Sequence, residues 1–176
     1  ISFQSTHMIR VGQALPAGFD GEGGRMFWYP DKYAFRGGGV SLASAGDSWA
    51  DANIGNYSFA FGEDTKAVGP YSVAMGHKSR AAGDHSVAIG NLVNVTGNNS
   101  AAFGSETSAS GGSSIVSGYR SNATDTASVA LGWYANATGD VSTAIGWGVR
   151  GSGHASFAVG KGAMASGSVS TAMGHY

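Results

Sequence analysis

From Asn56 onward, small and apolar residues alternate in bursts, and the bursts recur every fourteen residues without an insertion. Counting Asn56 as position one, positions three and five are small, as in Ser58 and Ala60, while positions four and six are apolar, as in Phe59 and Phe61. The alternation returns as Val73/Met75, Val87/Ile89, Ala101/Phe103, Val129/Leu131 and Phe157/Val159. Period two over about five residues predicts a short strand with two unlike faces. A fainter alternation around Ala67, Ala81, Val95, Ala109, Ala123, Ala137 and Ala165 predicts a second strand in each unit. Apolar residues do not recur at helical spacing, and paired glycines would break each turn, so helix is excluded.

Serine holds position three and glycine position seven in all nine units, from Ser58 and Gly62 to Ser170 and Gly174. Most units close on a further glycine, such as Gly69, Gly83 and Gly97. Glycine supplies positive φ, so two glycines per unit predict two corners. Two strands and two corners in fourteen residues make one flattened coil, and a period that never slips makes the coils a stack. The fold class is all-β: a parallel β-roll, or β-solenoid, of 14-residue coils, each strand bonding its equivalent one coil later. At about 4.8 Å per strand the rod is roughly 40 Å long.

One coil buries little against the entropy of ordering fourteen residues. The small face at positions three and five would let another backbone approach closely. This predicts a homo-oligomer with the bulky residues inside each coil and the small ones at the subunit seam. The opposite assignment of faces stays open.

Composition removes several functions. Thirty glycines and 12% charged residues fit a tightly wound regular structure, and a net charge of −1 provides no field for nucleic acid or an anionic membrane. The absence of cysteine rules out disulfides and thiolate sites. No window is apolar for long enough to span a bilayer, and Ile1 does not begin a secretory signal. The opening ISFQSTHM is similar to a protease-site and cloning remnant, and the stop inside a unit at Tyr176 predicts a stack that continues or loses order there.

The phrase Ser-Val-Ala-Ile-Gly, intact at Ser86 to Gly90 and nearly so at Ser72 to Gly76 and Ser128 to Gly132, resembles the head repeat of trimeric autotransporter adhesins, the YadA-type head above all. The resemblance implies a left-handed roll, three chains per head, and an extracellular adhesive or fibre role at a cell surface, anchored through regions outside this chain. It implies no enzyme, no cofactor, and no contact of this segment with membrane or nucleic acid. The chain then divides into a lead-in, 1–55, and head repeats, 56–176. The stretch Gly24 to Gly38 is similar to segments preceding such repeats in surface or fibre proteins of Bacteroidetes-type bacteria, some of which carry tail-spike-type chaperone domains. A phage or contractile-injection tail fibre is therefore the alternative. Physically, Met26, Phe27, Trp28, Tyr29, Tyr33 and Phe35 around Pro30, with Trp49 and Ile54, predict an aromatic cap on the first coil.

The candidate site lies just after the position-seven glycine. Tyr119, Trp133 and Trp147 share one place in three successive units, with Tyr134 beside Trp133, so stacking aligns their rings along one edge. Such a strip suits either an extracellular protein or glycan ligand, or a neighbouring chain. Histidine offers no metal site: His77 and His175 share a position but lie roughly 34 Å apart by strand spacing, and His7, His85 and His154 lie elsewhere. Lys66, Arg80 and Arg150 read as a solvated outer face. The recurring serines read as structural, their hydroxyls bonding along the ladder, and none has a histidine and acid arranged for catalysis. Asn94, Asn98, Asn122 and Asn136 begin glycosylation sequons that the repeat itself generates. A carbohydrate-active enzyme would need paired carboxylates, and Glu63, Asp64 and Glu106 are too sparse. The coil Gly112 to Asp125 is irregular: Val116, Ser117 and Asp125 break its pattern, which predicts a weaker rung.

Overall fold

A computed structural model describes residues 22–41 and 47–175; the opening ISFQSTHM, His7 and Tyr176 lie outside the described residues. Strand β1 (Gly23–Tyr29) turns through a single 3-10 turn at Pro30–Lys32 into antiparallel β2 (Ala34–Val40). The first coil follows as β3 (Phe59–Glu63) and β4 (Lys66–Ala67). Later coils repeat this pair, from Val73–His77 with Arg80–Ala81 to Phe157–Lys161 with Met164–Ala165, and a last long strand lies at Thr171–His175. Among the described residues the long strands form one sheet of eleven, led by the hairpin, and the short strands a sheet of eight. From β2 onward each long strand pairs in parallel with its equivalent one coil later, Phe59 with Val73 and Val73 with Val87. The fourteen-residue β-solenoid is therefore as the periodicity predicts.

The faces of the long strands are the reverse of the first expectation. Position five points into the coil: Ala60, Ala74, Ala88, Ala102, Ala130, Ala144 and Ala158 are fully buried, with Ala67, Ala81, Val95 and Ala109 opposite. Phe61, Phe103, Ile115 and Phe157 stand outside. The cause is geometric. The return strand has only two residues, so the coil closes around a lumen wide enough for methyl groups, with an occasional valine such as Val93 or Val149.

The corners also differ from expectation. Position seven does carry positive φ, +140° at Gly90, and a Cβ there would lie 1.9 Å from the oxygen of Gly104 on the next rung. The unit-closing glycines lack positive φ and are small for another reason: a Cβ on Gly69 would come within 2.1 Å of the Gly83 oxygen. The left-handed residues of the corners are mostly not glycine. Position two (Tyr57, Tyr71, Val141) and position nine (Asp64, Leu92, Tyr134) take φ near +55°. That conformation costs about 1–2 kcal/mol per residue. It aims the N–H back at the preceding coil, as Tyr71 N to Asn56 O and Lys78 N to Glu63 O, both 2.8 Å, so a hydrogen bond offsets the cost. The position-three hydroxyls mostly serve the corner rather than the ladder: Ser72 Oγ donates to Gly69 O and Ser86 Oγ to Gly83 O, both at 2.6 Å.

The hairpin supplies what a preceding coil would. Phe35 N donates to Ser58 O, Gly55 N to Ala67 O, and the Trp49 indole Nε1 to Thr65 O. Lys32 O and Gly39 O accept from the left-handed Tyr57 and Asp64. Phe27, Tyr29, Ala34, Val40, Trp49 and Ile54 form their own buried cluster, with Phe27 edge-on to Trp49. Strand alternation divides the aromatic lead-in: Met26, Trp28 and Tyr33 are exposed and only Phe27 and Tyr29 join that core. Arg36, at the register position of Ala60, is fully buried. Its Nη1 and Nη2 donate to Phe35 O, Ser58 O, Ser58 Oγ and Ala67 O.

Candidate functional site

Each long strand ends at position eight, where its side chain leaves the corner outward, followed by the left-handed residue at position nine. The ladder pairs Tyr119 with Trp133 and Trp133 with Trp147, so the three lie on one edge in register, as their shared place in the repeat predicts. Trp133 and Trp147 are 52% and 50% exposed, and Tyr134 is also exposed. The Tyr119 and Trp133 rings are 4.6 Å apart and tilted, and Tyr134 meets Tyr119 edge-on at 5.9 Å and Trp133 at 6.2 Å. Trp147 continues the register, and Lys161 Nζ lies 4.2 Å from its ring centroid.

A cation holds the other end of the group. Arg120 Nε donates to Glu106 Oε2 at 2.6 Å and its Nη1 to Tyr134 Oη at 2.9 Å, with the guanidinium 5.1 Å from the Tyr119 ring. The Glu106 carboxylate, then the Tyr134 hydroxyl, push the guanidinium pKa above its ordinary value. Toward the hairpin the same edge turns polar, His77 Nδ1 to Asn91 Oδ1 at 2.7 Å and Asn91 Nδ2 to Ser105 Oγ at 3.3 Å. The strip offers aromatic faces with cations held at its ends. Among the described residues no three His, Cys, Asp or Glu side chains gather to hold a metal ion. Lys66, placed by sequence on a solvated face, instead pairs with Asp47 at 2.8 Å because the chain before the first coil folds back over it.

A second column escaped the sequence reading. At the opposite corner, Tyr33, Tyr57, Tyr71 and His85 stack at 5.1, 4.9 and 4.7 Å with planes within 10° of parallel, and Trp28 meets Tyr33 edge-on. Tyr57, Tyr71 and His85 share position two, so a comparison of that position would have found three of the four.

A two-copy model of the YadA head domain repeat matches residues 54–79, 67–92, 96–121, 109–135, 123–148 and 152–176, more than half of the chain. The chain belongs to the YadA head repeat family. Within 54–92 and within 96–148 consecutive matches overlap by about one coil, so one rung serves as either half of the two-copy pattern. YadA heads are a structural repeat of surface-exposed adhesins, in which they assemble as trimers, and not a family of enzymes. A search of curated proteins found no match.

Proposed function

We propose that this YadA-type head works as a homotrimer: a non-enzymatic structural and adhesive module held outside the cell, its outward faces meeting a protein or glycan of a host, a matrix or a neighbouring cell. One observation carries the reading. The outer face of the long sheet carries an apolar row, Phe61, Met75, Ile89, Phe103, Leu131 and Val159, broken at Ser117, and among the described residues it stays exposed or half-exposed along the rod. Apolar rows of this length mark association surfaces. Three such faces around an axis bury one another and leave the short sheets, with Arg80, Asn94 and Arg150, outward. The coils are left-handed as in the family, and the described part of the lead-in, 22–41 and 47–55, is the cap that saturates the first rung.

Sedimentation at micromolar concentration is the test. A trimer is expected, and Ile89→Asp with Leu131→Asp should dissociate it while leaving the strand signal intact. A wild-type monomer would remove the reading. Beads coated with the trimer should be retained on matrix or cell surfaces; retention no greater than that of bare beads would remove the adhesive half.

A further inference from the structure

We propose that the three copies close head to tail through their corners. The strand-start corner of one copy seats against the strand-end corner of the next, rung by rung, and Tyr119, Trp133 and Trp147 fill that seam rather than bind a ligand. This rests on the trimeric reading above and goes further by saying which edges meet. The observation is how rings are shared between the two ends of the long strands, positions two and eight: from the hairpin to the Val141–Trp147 rung, only Tyr71 with His77 carries a ring at both ends. In the hairpin and the first rung the start is large and the end small or acidic: Tyr33 with Gly39, Tyr57 with Glu63. Midway both are modest, Asn99 with Ser105. Beyond that the order inverts: Ser113 with Tyr119, Ala127 with Trp133, Val141 with Trp147.

The two ends of one strand are about 20 Å apart, six residues at roughly 3.3 Å each, so nothing within a chain couples their sizes. A closed three-fold ring does. Rotation about an axis parallel to the stack involves no axial shift, so every start corner meets the end corner of the same rung on the next copy. On every rung but that of Tyr71 and His77, a ring at one corner then faces a residue without a ring on the next copy, or no ring is present at all. The Tyr33–Tyr57–Tyr71–His85 column rises at the rung spacing, 4.7–5.1 Å per ring, which keeps each ring level with its own rung. Both corners border the apolar face, so the seam is continuous with it. Aromatic residues are enriched at the buried centres of such interfaces.

The chain contains no cysteine, so the double variant Ala127→Cys with Trp133→Cys reports cleanly. Within one chain these positions are too far apart to bridge. Oxidation of the assembled full chain should give covalent dimer and trimer on a non-reducing gel. A trimer by sedimentation that yields no covalent species overturns the corner seam and leaves the trimer standing; a wild-type monomer overturns both. Should the variant fail to assemble, hydroxyl-radical footprinting of the unsubstituted protein decides. Corrected for intrinsic reactivity, Trp133 and Trp147 should oxidise at least about fivefold more slowly than Met164, which is exposed on the outward short sheet. Equal rates would overturn the proposal.

Discussion

Arg36 Nη2 lies 2.8 Å from Ser58 Oγ, inside the mouth of the first coil, where one rung below Ala60 suffices. A guanidinium here is costly: burial pulls its pKa down to about 10, with no carboxylate beside it, and Nε has no partner. Its other bonds go to Phe35 O of the hairpin and to two carbonyl oxygens of the first coil, Ser58 O and Ala67 O, which already accept backbone N–H groups. The side chain therefore acts chiefly by filling the open lumen. We expect Arg36→Ala to cost about 2–4 kcal/mol through the cavity and lost donors. Arg36→Met, which restores volume without charge, should recover at least half of that. Denaturant unfolding measures both, and a Met variant as unstable as the Ala variant would show that the charge does the holding.

The coil was legible because its signals are local and repeated: alternation at Phe59 to Phe61, a glycine at a fixed place, one period throughout. Which face lies inside was not. A period-two pattern is symmetric about the strand, and the preference for burying Phe59 over Ala60 pointed the wrong way. What decides it is the brevity of the opposite strand, Lys66–Ala67, a property of how the coil closes. The Tyr119, Trp133 and Trp147 strip could be seen by comparing one position across units. Tyr33 could not, because β2 stands outside the repeat and enters the stack only through its pairing with β3.

The two kinds of backbone glycine should respond differently to a side chain. Gly90 combines φ of +140° with an approach of 1.9 Å to the next rung's carbonyl, so Gly90→Ala meets both strain and overlap. A loss of roughly 2–5 kcal/mol is expected. Gly148 has φ +64° and open space around a Cβ, in a place where Asp64, Leu92 and Tyr134 already adopt the left-handed form. Gly148→Asn should change stability by no more than about 0.5 kcal/mol. Chemical denaturation of the two variants side by side checks the contrast; similar losses would contradict the geometry.

Acid and alkali should loosen the hairpin from opposite sides. Tyr29 Oη donates to Asp51 Oδ1 at 2.9 Å, and Lys32 Nζ lies 3.0 Å from the same oxygen. Burial acts to raise the Asp51 pKa, but the hydrogen bonds from Lys32 and Tyr29 outweigh it and the net shift is downward. That stability is present above the unfolded value of 3.8 and is lost as pH falls through the lower folded one. Burial first, then the bond to Asp51, push the Tyr29 phenol up from 10.0 to about 12, so its contribution is whole below pH 10 and disappears as pH rises through 12. Fluorescence of Trp49 should report a plateau between these limits, and Tyr29→Phe should abolish the alkaline arm and weaken the acid arm, which Lys32 still supports.

The irregular coil should be the first to open. Val116 fills the lumen where alanine stands on the neighbouring rungs, and Ser117 interrupts the apolar outer row between Phe103 and Leu131. Asp125 replaces the closing glycine, and the bond from Gly111 N to Ala123 O stretches to 3.5 Å, against 3.2 Å for Gly97 N to Ala109 O. The strand pairing itself is unbroken on both sides, so the weakness is in packing and in one corner. Local opening governs amide exchange, and about 1.4 kcal/mol corresponds to a tenfold rate. Amides within 111–125 should exchange about five- to tenfold faster than their equivalents in 83–97 and 139–153. Ser117→Leu, which completes the outer row, should narrow that gap in the trimer and leave it unchanged in the Ile89→Asp, Leu131→Asp monomer. Uniform exchange across the three coils would mean that the ladder alone sets rung stability.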